Sequence, residues 1–298
     1  MRLKVLICAL AVSTLAGLGT VTALTQDQEE DVRGAFLTTR PKPADKSKSN
    51  ESARPNRRRP KPQAVKADPT AGGNTAGTNV KDEPNKVTPQ KLGLGLTLLG
   101  RDSLGLTVRI DPTRTFRKGD RVRVLLETNN DGYLYIFNTT NDGKPVMLYP
   151  NKELDEGGNY LQAHIPFEIP SSTAPEERLR WLVFDEFAGN ERLYFVFTRS
   201  PLPGIPLEDE LIAFCNDAKN TCPIQPNAEL WAQLQKEMDE PLRTDSNKKY
   251  GKAQTEPERQ AIERGLGLST QEPEPSLIMM SASAKSGTLV TVLDLVHK

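Results

Sequence analysis

After residue 92, apolar and polar positions alternate at period two through most of the chain. That spacing marks half-buried β-strands. Leu92-Gly93-Leu94-Gly95-Leu96-Thr97-Leu98-Leu99 opens the series, and Leu104-Gly105-Leu106-Thr107-Val108-Arg109-Ile110 continues it. Val122, Val124 and Leu126 alternate with Arg121, Arg123 and Leu125. Tyr133, Tyr135 and Phe137 share one face, with Leu134 and Ile136 on the other. Further strands are predicted at 145–149, 179–184 and 192–198. The connectors carry turn chemistry: Asp111-Pro112, Lys118-Gly119-Asp120, Asn130-Asp131-Gly132 and Asn141-Asp142-Gly143. Short strands at this spacing predict a mainly β fold, an antiparallel β-sandwich over residues 92–215.

The period then lengthens. Pro206 and the acidic run Glu208-Asp209-Glu210 predict a short helix over 207–214. Asn227 is placed to cap a second helix carrying Leu230, Trp231, Leu234 and Met238 on one face, and Pro241 ends it. Residues 216–276 read as a helical and loop extension, with a third short helix over 257–264 and Gly265 beyond its end. Residues 277–298 alternate again around Lys285-Ser286-Gly287 and predict a C-terminal hairpin returning to the sheet.

The first 91 residues have a different texture. Arg2 and Lys4 precede an uncharged apolar run over 5–18, and Val21-Thr22-Ala23 supplies small residues at a cleavage position. This pattern predicts a secretory signal peptide over 1–23. The apolar run is shorter than the roughly 20 residues of a spanning helix, so no membrane anchor is expected after cleavage. Residues 24–91 are expected to be a disordered linker. Its part from 40 to 91 holds eight prolines and no aromatic residue. That part has thirteen Lys or Arg against five Asp or Glu, whereas residues 92–298 have 23 against 30. A net charge of zero thus hides a basic arm on an acidic body. Arg57, Arg58, Arg59 and Lys61 make this arm either a spacer or a tether to an anionic surface. Without interleaved aromatics, nucleic acid is a poor fit.

Cys8 leaves with the signal, and Cys215 and Cys222 remain, predicting a disulfide in an exported chain. The search for chemistry is otherwise thin. The chain has two histidines, His164 and His297. A triad of His164, Asp185 and a serine has no nucleophile-elbow motif behind it, and His164 reads instead as a partly exposed strand histidine. Asp185 and Glu186, placed on a strand, would point to opposite faces. No Walker loop, dinucleotide fingerprint or zinc helix is present, so no cofactor or metal is expected. Asn129-Asn130-Asp131 and Asn141-Asp142-Gly143 offer oxygen ligands for calcium only if they meet at one end of the fold. The aromatic residues are mostly core, while Tyr133 and Tyr149 are candidates for an exposed patch that binds glycan or peptide.

One ordered set of residues resembles a known family. It runs through Leu92-Gly93-Leu94, Lys118-Gly119-Asp120-Arg121-Val122-Arg123, Asp131-Gly132-Tyr133-Leu134-Tyr135-Ile136 and Leu148-Tyr149-Pro150-Asn151. Ile169-Pro170, Phe184-Asp185-Glu186, Gly189-Asn190-Glu191-Arg192-Leu193 and Thr198-Arg199-Ser200-Pro201-Leu202 complete it. The set is similar to a bacterial family of exported or envelope modules of unknown function, sometimes found beside caspase-like peptidase or Ser/Thr kinase domains. The resemblance covers about residues 92–215 and implies an all-β module without an established activity. It differs here in lacking a partner enzyme domain and in the extension after Pro203. Together these features lead us to expect an exported, non-catalytic module that binds an envelope protein or glycan. The alternatives are an accessory subunit of a separately encoded envelope peptidase or kinase, and a cryptic hydrolase around His164.

Overall fold

The computed structural model describes residues 31–42, 58 and 90–298. Two sheets face each other. In sheet A, β1 (Gly93–Arg101), β3 (Arg121–Thr128), β7 (Phe167–Ile169), β10 (Leu242–Ser246) and β11 (Leu277–Ser281) lie in the order β10-β11-β1-β3-β7. Here β2 (Thr107–Arg109) pairs with β1, and β8 (Leu182–Val183) pairs with β3. In sheet B, β4 (Gly132–Thr140), β5 (Val146–Tyr149), β9 (Gly189–Thr198) and β12 (Thr288–His297) follow the order β12-β9-β4-β5, with β6 (Tyr160–Leu161) on β4. Alternation assigns the inner faces. Leu94, Leu96, Leu98, Val122, Val124 and Leu126 meet Leu134, Ile136, Leu193, Phe195, Phe197 and Leu289 in one buried cluster. A fully buried aliphatic or aromatic side chain of this kind is worth ~1.5–3 kcal/mol, so this interface is the main source of stability.

The Asn130-Asp131-Gly132 turn joins β3 to β4, but the two strands enter different sheets, so the connection is an arch and not a hairpin. Asn129 braces it: Gly93 N donates to its Oδ1 at 2.6 Å, and its Nδ2 donates to Lys91 O at 3.0 Å. Glycine is required at 132 because a Cβ there would lie 2.5 Å from Thr198 O. The expected C-terminal hairpin is corrected in the same way. β11 pairs with β1 and β10, and β12 pairs with β9 across all ten residues, so 282–287 cross between the sheets. Alternation identifies a strand but not its partner.

The outer face of sheet B is covered by α2 (Asp209–Asn216) and α3 (Ala228–Met238). Asn227 Oδ1 accepts from Leu230 N at 2.8 Å, the predicted cap, and Trp231 packs edge-on against Phe137 and Tyr194. The first of these helices starts at Asp209 instead of 207, because Glu208 turns left-handed at φ 55°. The third, α4 (Glu256–Arg264), opens on a capping box of Thr255 and Glu258 and ends at left-handed Gly265, as predicted. The predicted strand over 179–184 shortens to β8 behind a 3-10 turn, Glu177–Arg180.

Disorder was expected throughout 24–91, and that expectation fails at residues 31–42. A helix, α1 (Val32–Leu37), lies on the outer face of sheet A with Phe36 fully buried beside Ile278 and Met280. The composition argument rested on the stretch from 40 onward. Val32, Ala35, Phe36 and Leu37 lie upstream of it and carry enough apolar surface to dock. The signal-peptide segment, Arg57, Arg59 and Lys61 lie outside the described residues.

Candidate functional site

Toward one end of the sandwich the inner face of sheet B turns polar. The parity that points Leu134 and Ile136 inward also points Asn138 inward; the parity of Leu193 includes Glu191, and that of Leu293 and Leu295 includes His297. These three residues line a cavity of about 240 Å³ between the sheets. Its other walls are Leu148, Leu182, Val183 and Phe184, with Asp185 beside them. Asn138 Nδ2 and Thr140 Oγ1 donate to Glu191 Oε2 at 2.8 and 2.9 Å. Asn138 Oδ1 is buried without a hydrogen-bond partner among the described residues. Such an acceptor costs about 1–3 kcal/mol. His297 is 4% exposed, with its ring 5.1 Å from that of Phe184. Apolar walls with two carboxylates and an open amide oxygen suit an apolar group that ends in N–H donors. A second cavity of about 340 Å³, against Leu96 and Leu98 of β1 and near Ser276, has only Asp111 and Lys248 as charged lining.

The outer face of sheet A holds a layer of buried ion pairs. Arg40 grips Glu127 through two bonds, Nε to Oε1 at 2.8 Å and Nη2 to Oε2 at 2.6 Å, and also donates to the carbonyls of Ser269, Glu272 and Pro273. His164 Nδ1 lies 2.7 Å from Glu127 Oε1, and its Nε2 lies 2.9 Å from Thr39 Oγ1. Arg109 pairs with Glu258. Arg123 lies 3.5 Å from Glu168 and 4.1 Å over the Trp181 ring. Burial lowers the Arg123 guanidinium from its ordinary value, against the pull of Glu168.

Hydroxyl, imidazole and carboxylate in that order are the parts of a triad. Here the Thr39 hydroxyl donates to Phe36 O at 2.6 Å, Arg40 occupies both oxygens of Glu127, and the Phe36 ring stands edge-on to the imidazole at 5.7 Å. The group holds residues 36–40 against the sheet. His164 was expected to be a partly exposed strand residue, but it is 3% exposed and left-handed at φ 59°. That conformation costs about 1–2 kcal/mol for a residue with a Cβ. Its backbone is pinned at 2.7 Å on each side, N–H to Thr128 O and C=O to Leu268 N.

The other candidates separate. Cys215 and Cys222 form the predicted disulfide. Tyr149 is fully buried in the inter-sheet core, where its hydroxyl donates to Gly158 O at 2.9 Å, so it belongs to no exposed patch. Tyr133 is half-buried against Tyr160 and the cluster under the helices. Arg58, the described member of the basic run, pairs at 2.8 Å with both Glu156 and Asp209 on the body. Asp185 and Glu186 sit in the loop after β8. The two proposed calcium loops lie at opposite ends of β4, about 25–30 Å apart by strand rise, so they cannot share an ion. Among the described residues no group of three or more His, Cys, Asp or Glu is placed to hold a metal, and no helix is long and apolar enough to cross a membrane. Arg40, Glu127, Asn138 and Glu191 were missed, although the parity of Asn138 and Glu191 with core residues of their own strands was a usable signal.

Comparison with known proteins gives one family. The model of a domain of unknown function, DUF4384, matches residues 115–201, which run from just before β3 through β9. The match contains most of the cavity lining but not Leu295 or His297, and it leaves out β1, which lies between β3 and β11. No curated protein and no solved structure matches the chain.

Proposed function

We propose that the protein is an exported, non-catalytic binding module of the cell envelope, and that the cavity beside β8 is where it holds its partner. The observation that carries this reading is the polar set Asn138, Glu191 and His297 at inward positions of an otherwise apolar interior. A buried acceptor left unpaired weakens a fold, so its retention fits a group that serves a ligand. The partner is an envelope protein or glycan presenting an apolar group with N–H donors. The leader-like sequence of residues 1–23 supports export, and the match to an uncharacterised domain is consistent with a module of this kind.

Val183 is 55% exposed at the cavity, so Val183→Trp can block the site from the surface. Cross-linking in envelope extracts should capture a partner with the parent protein and lose it with Val183→Trp. An unchanged capture profile would remove the cavity from the proposal. If the captured partner is a peptidase or kinase whose activity changes on binding, the module is an accessory subunit. The rival reading is a hydrolase around His164, against which stand the burial of the imidazole and the bonds that already occupy Thr39 and Glu127. Ester or peptide hydrolysis abolished by His164→Ala, with the fold intact, would replace the binding reading.

A further inference from the structure

Residues 31–42 contact the body as a bound peptide would. The 47 residues from 43 to 89 separate them in sequence from the next described stretch, which begins at residue 90. A helix as short as Val32–Leu37 has little stability by itself, so its form depends on the surface beneath it. That surface is shaped for it. The alternation that buries Leu94 and Leu96 between the sheets puts Gly93 and Gly95 on the outer face, leaving a trough for Phe36. A Cβ at Gly93 would stand 2.8 Å from the Phe36 ring. Arg33 anchors one end of the segment, at 3.0 Å from Asp245 and 3.2 Å from Glu274. Arg40 anchors the other end on Glu127.

The receptor side has bonds of its own besides those it makes to the segment. His164 is fixed through its own backbone by Thr128 and Leu268, both of the body, and its Nδ1 lies 2.7 Å from Glu127. Glu127 thus has a hydrogen-bond partner within the body besides Arg40, and when the segment leaves, water reaching the uncovered carboxylate must take over the charge balance that Arg40 supplied. The geometry points to a peptide-binding site on the outer face of sheet A that recognises an aromatic residue followed four positions later by arginine. Its occupant is this chain's own segment 31–42, exchangeable without unfolding of the sandwich. A second copy of the chain can supply the same segment.

The test uses the full chain with a protease site inserted between Gly72 and Gly73. After cleavage, a fluorescein-labelled peptide of residues 31–42 is added and its anisotropy is followed while circular dichroism monitors the fold. The labelled peptide should replace the cut segment with the sandwich folded. A Phe36→Ala peptide should bind at least ~100-fold more weakly, and an Arg40→Ala peptide should also weaken. Uptake only at denaturant concentrations that unfold the body, or equal binding of the Phe36→Ala peptide, would overturn the proposal. In the uncut chain, the Ala35 and Thr38 amides should exchange hydrogen by a far easier opening than β4 and β9. Equal protection would overturn it as well.

Discussion

Tyr160 shows how far partial burial and one partner together can move a phenol. Its hydroxyl donates to Asp131 at 3.0 Å, and partial burial followed by that bond pushes its pKa up to about 12. A tyrosine in the unfolded chain titrates near 10. The folded state thus holds the phenolic proton more tightly, and unfolding releases it once the pH exceeds about 10. The contribution to stability is fully present below that pH and is lost as the pH rises through about 12. The difference in absorbance at about 295 nm between the parent and Tyr160→Phe should therefore titrate near 12; a midpoint near 10 would show that neither the burial of the phenol nor its Asp131 contact is held in solution. Such pairings were not legible in the sequence, because Asp131 and Tyr160 meet only when β6 pairs with β4. The same is true of Glu127, which period-two reading places on the outer face of β3, where a carboxylate is unremarkable until Arg40 arrives from 87 residues away. His164 was visible as one of two histidines, but its neighbours were not.

At the scale of the element, local chemistry was read well and pairing poorly. Asn227, Thr255 and Gly265 do what their residue types predict at helix ends, because capping is a contact within a few residues. Asn227→Ala should cost about 1 kcal/mol, since it orphans the Leu230 amide but leaves Leu230, Trp231 and Leu234 packed on sheet B. Urea unfolding should show a lower midpoint with an unchanged slope; a changed slope would mean that α3 had detached. The strands were also legible, down to which side faces inward. Their partners were not. The turn after β3 and the turn after β11 have ordinary hairpin composition, yet both carry the chain from one sheet to the other. What decides is which apolar face completes which layer, and β11 finds its place beside β1, about 180 residues earlier in sequence. The segment 31–42 was misread for a related reason: a docked peptide of twelve residues has little local signal, and its apolar and basic residues gain meaning only from the trough at Gly93.

For the whole molecule, the division of charge decides how the basic arm behaves. Residues 43–89 carry ten Lys or Arg and five Asp or Glu, while residues 92–298 carry an acidic excess of seven. Arg40 no longer counts toward the arm, since Glu127 neutralises it in the interior. Arg58 already meets Glu156 and Asp209, whose hydrogen bonds raise its pKa further above the ordinary arginine value, Asp209 contributing most. Any external anion must compete with these carboxylates. Surface pairs of this kind are weak and screened, so the competition is governed by charge density and salt. Vesicles rich in anionic phospholipid should therefore sediment the parent protein at low ionic strength. Replacing the ten basic residues of 43–89 with glutamine, which keeps the length and the docked segment, should abolish that binding. Glu156→Gln with Asp209→Asn should strengthen it by removing two carboxylates that compete for Arg58. If the glutamine variant sediments as the parent does, the arm is a spacer, and its positive charge acts on the body alone.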